Sequence, residues 1–248
     1  MPRVGREKTV SYHLRKMRRI FLPFLVTALA AGAWVQPAAA DTDPPRSAAE
    51  RFLVARPETA RTVVGLRARP GGRVVARLAA KTVFGGRPVL AVVRERARWL
   101  GVTTPELRNR IAWVPRYKVR LTSTRYSLEA DLSERTLVLR RGGRPLRTIR
   151  VAIGGAGSPT PIGRFAVTDK FSGKPYGPYL GCCVLAFSGH QPNLPDGWFG
   201  GDRIGLHGTD SPASIGTASS AGCLRARDEP LRFLMETVPL GTPVFIHP

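Results

Sequence analysis

The chain has 248 residues, room for one large domain or two smaller ones with a real core. Its 39 Lys and Arg against 17 Asp and Glu leave a net charge of +22, a balance that selects anionic partners: nucleic acid, an anionic membrane or a polyanionic wall. No zinc-finger or RNA-binding motif accompanies the charge, so nucleic acid is set aside.

Residues 3–19 carry seven cations and a single anion, Glu7. An apolar run follows from Ile20 to Val35, and Ala38-Ala39-Ala40 then offers small residues for cleavage after Ala40. Basic, apolar and small in that order describes a secretory signal peptide over residues 1–40. An uncleaved membrane anchor is the alternative, although a run of 16 residues is slightly short for a span. Arg18-Arg19-Ile20-Phe21-Leu22 also looks like a twin-arginine export signal, on the strength of one dipeptide in a basic region. Cleavage removes seven cations and one anion, which leaves a mature net charge of about +16. The expected location is the periplasm or the extracellular wall. Attraction to an anionic envelope is one reading of the charge there, and a codon bias that serves only solubility is the other.

Residues 41–60 read as a linker. From Arg61 the pattern changes to short β-type runs broken by Gly and Pro: Thr62–Leu66, Arg73–Leu78, Val89–Arg94, Arg98–Val102 and Ile111–Val114. Five such runs suit a small SH3-like barrel over residues 61–116, with Trp99 and Trp113 as core or groove aromatics. No acid–base constellation lies there, so it reads as a binding or spacer module.

The second domain, residues 118–248, is also mainly β. Ser127–Leu132, Thr136–Leu139 and Leu146–Ile153 form a meander, and the alternation of Ile149, Val151 and Ile153 with Arg150 and Ala152 marks a half-buried strand. A turn through Ser158–Gly163 leads into Arg164–Thr168, and Gly181–Phe187 is an apolar strand. One helix is expected near the end, with Asp228 as its cap, Pro230 in its first turn and Leu231, Leu234 and Met235 on its apolar face. Thr242–Ile246 closes the chain as a strand.

The chemistry concentrates between Ile204 and Arg227. A strand ends on His207, a loop of Gly, Ser, Thr and Pro follows, and Ser220-Ala221-Gly222-Cys223 leads into the next element. Sixteen positions separate His207 from Cys223, so the loop can fold back and bring imidazole and thiol together. An imidazole beside a thiol takes its proton and holds a thiolate ion pair, a strong nucleophile at neutral pH. Gly222 lets the backbone turn sharply and aims N–H groups at one spot, where an oxyanion could be stabilised. The three cysteines, Cys182, Cys183 and Cys223, are an odd number, so at least one thiol is free in a chain expected to be exported.

Leu206-His207-Gly208-Thr209, Pro212-Ala213-Ser214-Ile215-Gly216 and Ser220-Ala221-Gly222-Cys223-Leu224-Arg225 together resemble the YkuD-type L,D-transpeptidases, over roughly residues 123–248. Pro159-Thr160-Pro161-Ile162-Gly163-Arg164-Phe165 looks like the entry hairpin of that family. The resemblance implies a β-sandwich catalytic domain with one or two short helices, and an exported cysteine acyl-transferase acting on peptidoglycan stem peptides as donor and acceptor. It makes Cys223 the nucleophile and His207 the base, and places Gly222 and Ala221 in the oxyanion region. Arg225 and Gly208 fall near substrate, Arg225 having a structural salt bridge as its alternative. Many members carry His where this chain has Ala221, so no side chain there can orient His207, and a backbone carbonyl is the expected third partner. The chemistry calls for no cofactor and no metal.

Cys182 and Cys183 are expected as two small apolar side chains on opposite faces of a buried strand, in preference to a vicinal disulfide or a zinc site with His207 and Cys223. His190 lies in a Gly/Pro-rich loop with Trp198 and Phe199, a lid or acceptor wall on one reading and a surface loop with an aromatic anchor on the other. Papain-like and NlpC-type enzymes place cysteine before histidine, and sortases use a much longer interval. A catalytically silent wall-binding protein remains the competitor from another class.

Overall fold

The computed structural model describes residues 50–194, 197–198 and 200–248. The segment 1–40 expected to be a signal peptide, with its Ala40 junction and the twin-arginine dipeptide, lies outside them, as does Phe199.

The strands in chain order are β1 (Phe52–Pro57), β2 (Gly65–Arg67), β3 (Val74–Arg77), β4 (Leu90–Arg96), β5 (Trp99–Thr103), β6 (Ala112–Pro115), β7 (Val119–Thr124), β8 (Tyr126–Asp131), β9 (Thr136–Arg141) and β10 (Arg144–Arg150). They continue as β11 (Ile153–Gly154), β12 (Gly163–Ser172), β13 (Cys183–His190), β14 (Arg203–His207), β15 (Ala218–Ser220), β16 (Leu224–Arg225) and β17 (Pro243–His247), with one α-helix among the described residues, α1 (Asp228–Thr237). The fold is mainly β, as expected.

The N-terminal sheet has the order β3-β2-β6-β5-β4-β1-β7. Five of its strands fall on the five runs read from sequence. The other two correct the proposed boundaries: β1 lies inside the segment read as a linker, and β7 lies inside the segment given to the second domain. Phe52↔Thr124 through Pro57↔Val119 pair along their whole length. Apolar residues set this pairing, with Val54 and Ala55 at 2% and 0% exposure, but the partners lie some 65 residues apart and no local pattern announces them.

The C-terminal sheet has the order β10-β9-β8-β17-β12-β13-β14-β16, beside a two-stranded β11-β15 pair. Its ten-residue β12 joins two halves. Gly163–Ala166 pairs with β17, and Val167–Ser172 pairs with β13 after a register shift between Val167 and Asp169. Leu128, Leu139, Phe187, Leu206, Leu231 and Leu234 are among the fully enclosed side chains of its core. Helix α1 packs there through Leu231 and Leu234, the spacing that a 3.6-residue period requires. Its N-cap is Arg227, one residue before the expected Asp228.

The described residues form one compact unit, so the two sheets meet without a free linker. Asn109 grips the His190 main chain twice, donating from Nδ2 to the carbonyl at 2.8 Å and accepting the N–H at 2.7 Å. Arg108 pairs with Asp202 at 2.7 Å. Gly241 is wedged between the sheets: its φ is +88°, and a Cβ there would meet Val54 Cγ1 at 2.4 Å.

Cys182 and Cys183 require a further correction. They are joined as a vicinal disulfide rather than set on opposite faces of a strand. Strand β13 begins only at Cys183, and Cys182 belongs to the turn after Gly181, whose φ is +59°. Strand alternation therefore does not separate the two side chains. Cys223 is the free cysteine.

Candidate active site

Strand β14 carries His207 at its end, and β16 starts one residue after Cys223. The two strands run parallel, with Leu206 opposite Leu224 and His207 opposite Arg225. That register brings the imidazole and the thiol to the same edge of the sheet, and both line one cavity of about 560 Å³. Gly222 makes the turn into β16 possible. Its φ is +111°, and a Cβ would sit 2.1 Å from Gln191 Nε2, so only glycine fits.

The imidazole is buried, at 6% exposure. Its Nδ1 lies 2.6 Å from the Gly208 carbonyl oxygen, which can only accept, so Nδ1 carries the proton and Nε2 is left as the base. Gly208 itself is absent from the cavity wall. Its N–H donates to the Leu180 and Cys183 carbonyls, at 2.9 and 3.2 Å, and a Cβ would strike Asp228 Oδ1 at 2.7 Å. These contacts anchor the turn that follows His207.

Burial lowers the His207 pKa to about 4, with the Arg225 charge adding to the shift and the Gly208 hydrogen bond opposing it. Burial also raises the Cys223 thiol above its ordinary 9.0, against the backbone of Gly205 and the Arg225 charge. The hydrogen bond of the thiol runs to the Arg203 carbonyl, at 3.9 Å. Both shifts favour the uncharged forms of imidazole and thiol, against the expected ion pair.

Ser220 Oγ accepts the Gly222 N–H at 3.1 Å and donates to the Cys223 carbonyl at 2.6 Å. The Gly222 amide thus donates within the turn. Ala221 lines the cavity, and its carbonyl accepts from Gln191. Arg225 lines it too, with Nε buried and without a hydrogen-bond partner.

A model of the YkuD L,D-transpeptidase catalytic domain matches residues 125–246. YkuD of Bacillus subtilis is 32% identical over 122 residues, which is 49% of this chain and 66% of that protein. YkuD of Bacillus licheniformis is 33% identical over 123 residues, 50% of this chain and 66% of that protein. Residues 125–246 are similar to a YkuD-type L,D-transpeptidase catalytic domain. The match spans just under two thirds of the length of these relatives. Among solved structures, an L,D-transpeptidase from Mycobacterium smegmatis aligns with 65% of this chain and 91% of its own, at 18% identity and a TM-score of 0.40. Bd1075 of Bdellovibrio bacteriovorus aligns with 50% of this chain and 48% of its own, at 28% identity and a TM-score of 0.39.

Two residues of the site were not expected from sequence. Gln191 is buried at 3% exposure, and its Nε2 donates to the Ser158, Pro159 and Ala221 carbonyls, at 3.2, 2.9 and 3.4 Å. It ties the entry turn to the cysteine loop, and only its place in the Gly/Pro-rich segment hinted at it. Arg203 binds the Phe187 carbonyl through Nε at 3.0 Å and Thr168 Oγ1 through Nη2 at 2.9 Å, and forms part of the cavity wall. His190 stands outside that wall and pairs with Asp202 at 2.8 Å, while Trp198 of the same loop lines it.

Proposed function

We propose that the chain is an exported peptidoglycan L,D-transpeptidase that forms a thioester on Cys223. The observation that carries the reading is the Gly208–His207 hydrogen bond beside Cys223 in one cavity, because it leaves Nε2 unprotonated and ready to accept. The thiol gives its proton to Nε2 as sulfur attacks the carbonyl carbon between the third stem residue and terminal D-alanine. The tetrahedral intermediate collapses, its C–N bond breaks, and D-alanine leaves as an amine that takes the proton from His207. An acceptor amine then attacks the thioester, its proton passes through His207, and the thiol is restored with a 3→3 cross-link made. Water in place of the amine yields a carboxypeptidase.

A neutral imidazole suits this order of events, since proton transfer accompanies attack rather than preceding it. Arg225, with its unpartnered buried Nε, takes the carboxylate of the departing D-alanine. The Cys223 N–H is the oxyanion donor. Export rests on residues 1–40, and a mature charge near +16 favours the anionic wall as the place of work.

The test is D-alanine release from a disaccharide–tetrapeptide donor, with and without a second stem as acceptor. Wild-type protein should release D-alanine, and Cys223→Ala should lose at least about a thousandfold. Wild-type protein that is folded and reduced yet releases none, while still sedimenting with purified wall, would instead describe a silent wall-binding protein.

A further inference from the structure

The N-terminal sheet reaches into the catalytic cavity. Between β3 and β4 the chain forms a tight loop, Thr82–Gly86, closed by the Gly85 N–H on the Thr82 carbonyl at 2.9 Å and the Thr82 N–H on the Gly86 carbonyl at 2.8 Å. Thr82 Oγ1 accepts the Phe84 and Gly86 N–H groups, at 3.3 and 3.0 Å, and donates its own proton to Asp169 on β12. Gly86 has to be glycine for that contact, because a Cβ would sit 2.8 Å from Asp169 Oδ1. The loop is therefore locked onto the catalytic sheet, and it carries Phe84 to the wall of the cavity that holds Cys223 and His207.

Phe84 does not stand there alone. Its ring lies 4.6 Å from that of Phe171, which lies 5.3 Å from Tyr176, while the Arg203 guanidinium stacks 5.7 Å from the Phe84 centroid. Tyr176, Tyr179 and Trp198 complete the rim and remain 52%, 50% and 43% exposed. Trp198 is held in place by a 2.7 Å bond from Nε1 to the Gly201 carbonyl. Large rings gathered at one rim mark a ligand-binding groove, whereas rings scattered singly over a surface do not. Asp202 and Arg203 also line the cavity, Asp202 paired with Arg108 and His190, and Arg203 bound to the Phe187 carbonyl and Thr168. Aromatic faces on one wall with polar residues lining the same cavity match a pyranose, whose C–H face meets the negative face of a ring while its hydroxyl and acetamide groups point sideways.

We propose that Phe84 is a donor-specificity residue, which with Phe171 and Tyr176 stacks the N-acetylated sugar of the peptidoglycan donor while the stem peptide runs to Cys223. This deepens the transpeptidase reading and rests on it. The N-terminal sheet is on this account a part of the substrate site rather than a separate wall-binding module.

The experiment compares two donors, a disaccharide–tetrapeptide and the free tetrapeptide, by D-alanine release from the full chain. For Phe84→Ala, kcat/KM should fall about tenfold on the disaccharide donor, through KM, and change less than about twofold on the free tetrapeptide. Phe84→Trp, which keeps a ring, should restore the disaccharide donor to within about threefold of wild type and guards against misfolding of the alanine variant. Equal losses on both donors, or none on either, would overturn the proposal. Wild-type protein inactive on both donors would remove the transpeptidase reading, a result distinct from active wild type with no donor preference lost in Phe84→Ala.

Discussion

At His207 and Cys223 the same burial acts in opposite directions on the two titrations, lowering the imidazole and raising the thiol. The consequence is measurable in two ways. Alkylation of Cys223 by iodoacetamide should follow the thiolate and rise with a midpoint above pH 9, since no ion pair stabilises it at rest. A midpoint below pH 7 would restore the ion-pair picture. The second consequence is for stability. The imidazole sits near 4 when folded and near 6.5 when unfolded, so as pH falls the unfolded chain takes up the proton first. Stability from this group is complete above about pH 6.5 and is lost as pH falls through 4, on the order of 3 kcal/mol in all. Urea titrations of wild type and His207→Gln at pH 7 and pH 4 read the difference, and parallel losses in both proteins would contradict it. At Gly222, alanine meets both a φ of +111° and Gln191, so Gly222→Ala should cost about 1–3 kcal/mol of stability and most of the acylation rate. That His207 and Cys223 come to one cavity was legible, because the strand end, the loop length and the glycine before the cysteine are local features. Gln191 was not, because a buried amide becomes a clasp only when three carbonyls from distant segments converge on it.

Among the elements, α1 was the most legible, since Leu231 and Leu234 fall on one face and Pro230 fits only a first turn. Its place in the core gives a plain expectation: Leu231→Ala should lower the unfolding free energy by about 2–5 kcal/mol, read from denaturant midpoints at unchanged m. A loss under about 1 kcal/mol would mean that the helix does not pack as described. The strand runs of the second domain were legible for the same reason, as alternation or apolar continuity is a local property. The pairing of β1 with β7 was hidden, because register between distant segments is set by the sheet and not by either segment. The Cys182–Cys183 bond was hidden as well: an apolar run through Gly181–Phe187 suggests a strand from its first residue, whereas β13 starts at Cys183.

For the molecule as a whole, the two sheets act together rather than in tandem. Asn109 holds the His190 main chain, Gln191 follows it, and Gln191 holds the loop that bears Cys223. Asn109→Ala should therefore cost about 1–3 kcal/mol and also slow acylation of Cys223, read by thermal unfolding and by stopped-flow acylation of one preparation. Stability lost with acylation untouched would leave the contact as simple glue between the sheets. The sequence suggested two modules and a boundary, which composition can do. It did not suggest that the first supplies a wall of the second's cavity, because Phe84 sits in a short Gly-flanked loop that reads as surface.

The central claim is the thioester on Cys223, and intact-mass spectrometry of the mature protein with a disaccharide–tetrapeptide donor tests it most directly. The account predicts an adduct equal to the donor less D-alanine, present on wild type, absent from Cys223→Ala and discharged by an added acceptor stem. Folded, reduced wild-type protein that stays unmodified while D-alanine is released, or an adduct that persists in Cys223→Ala, would contradict it.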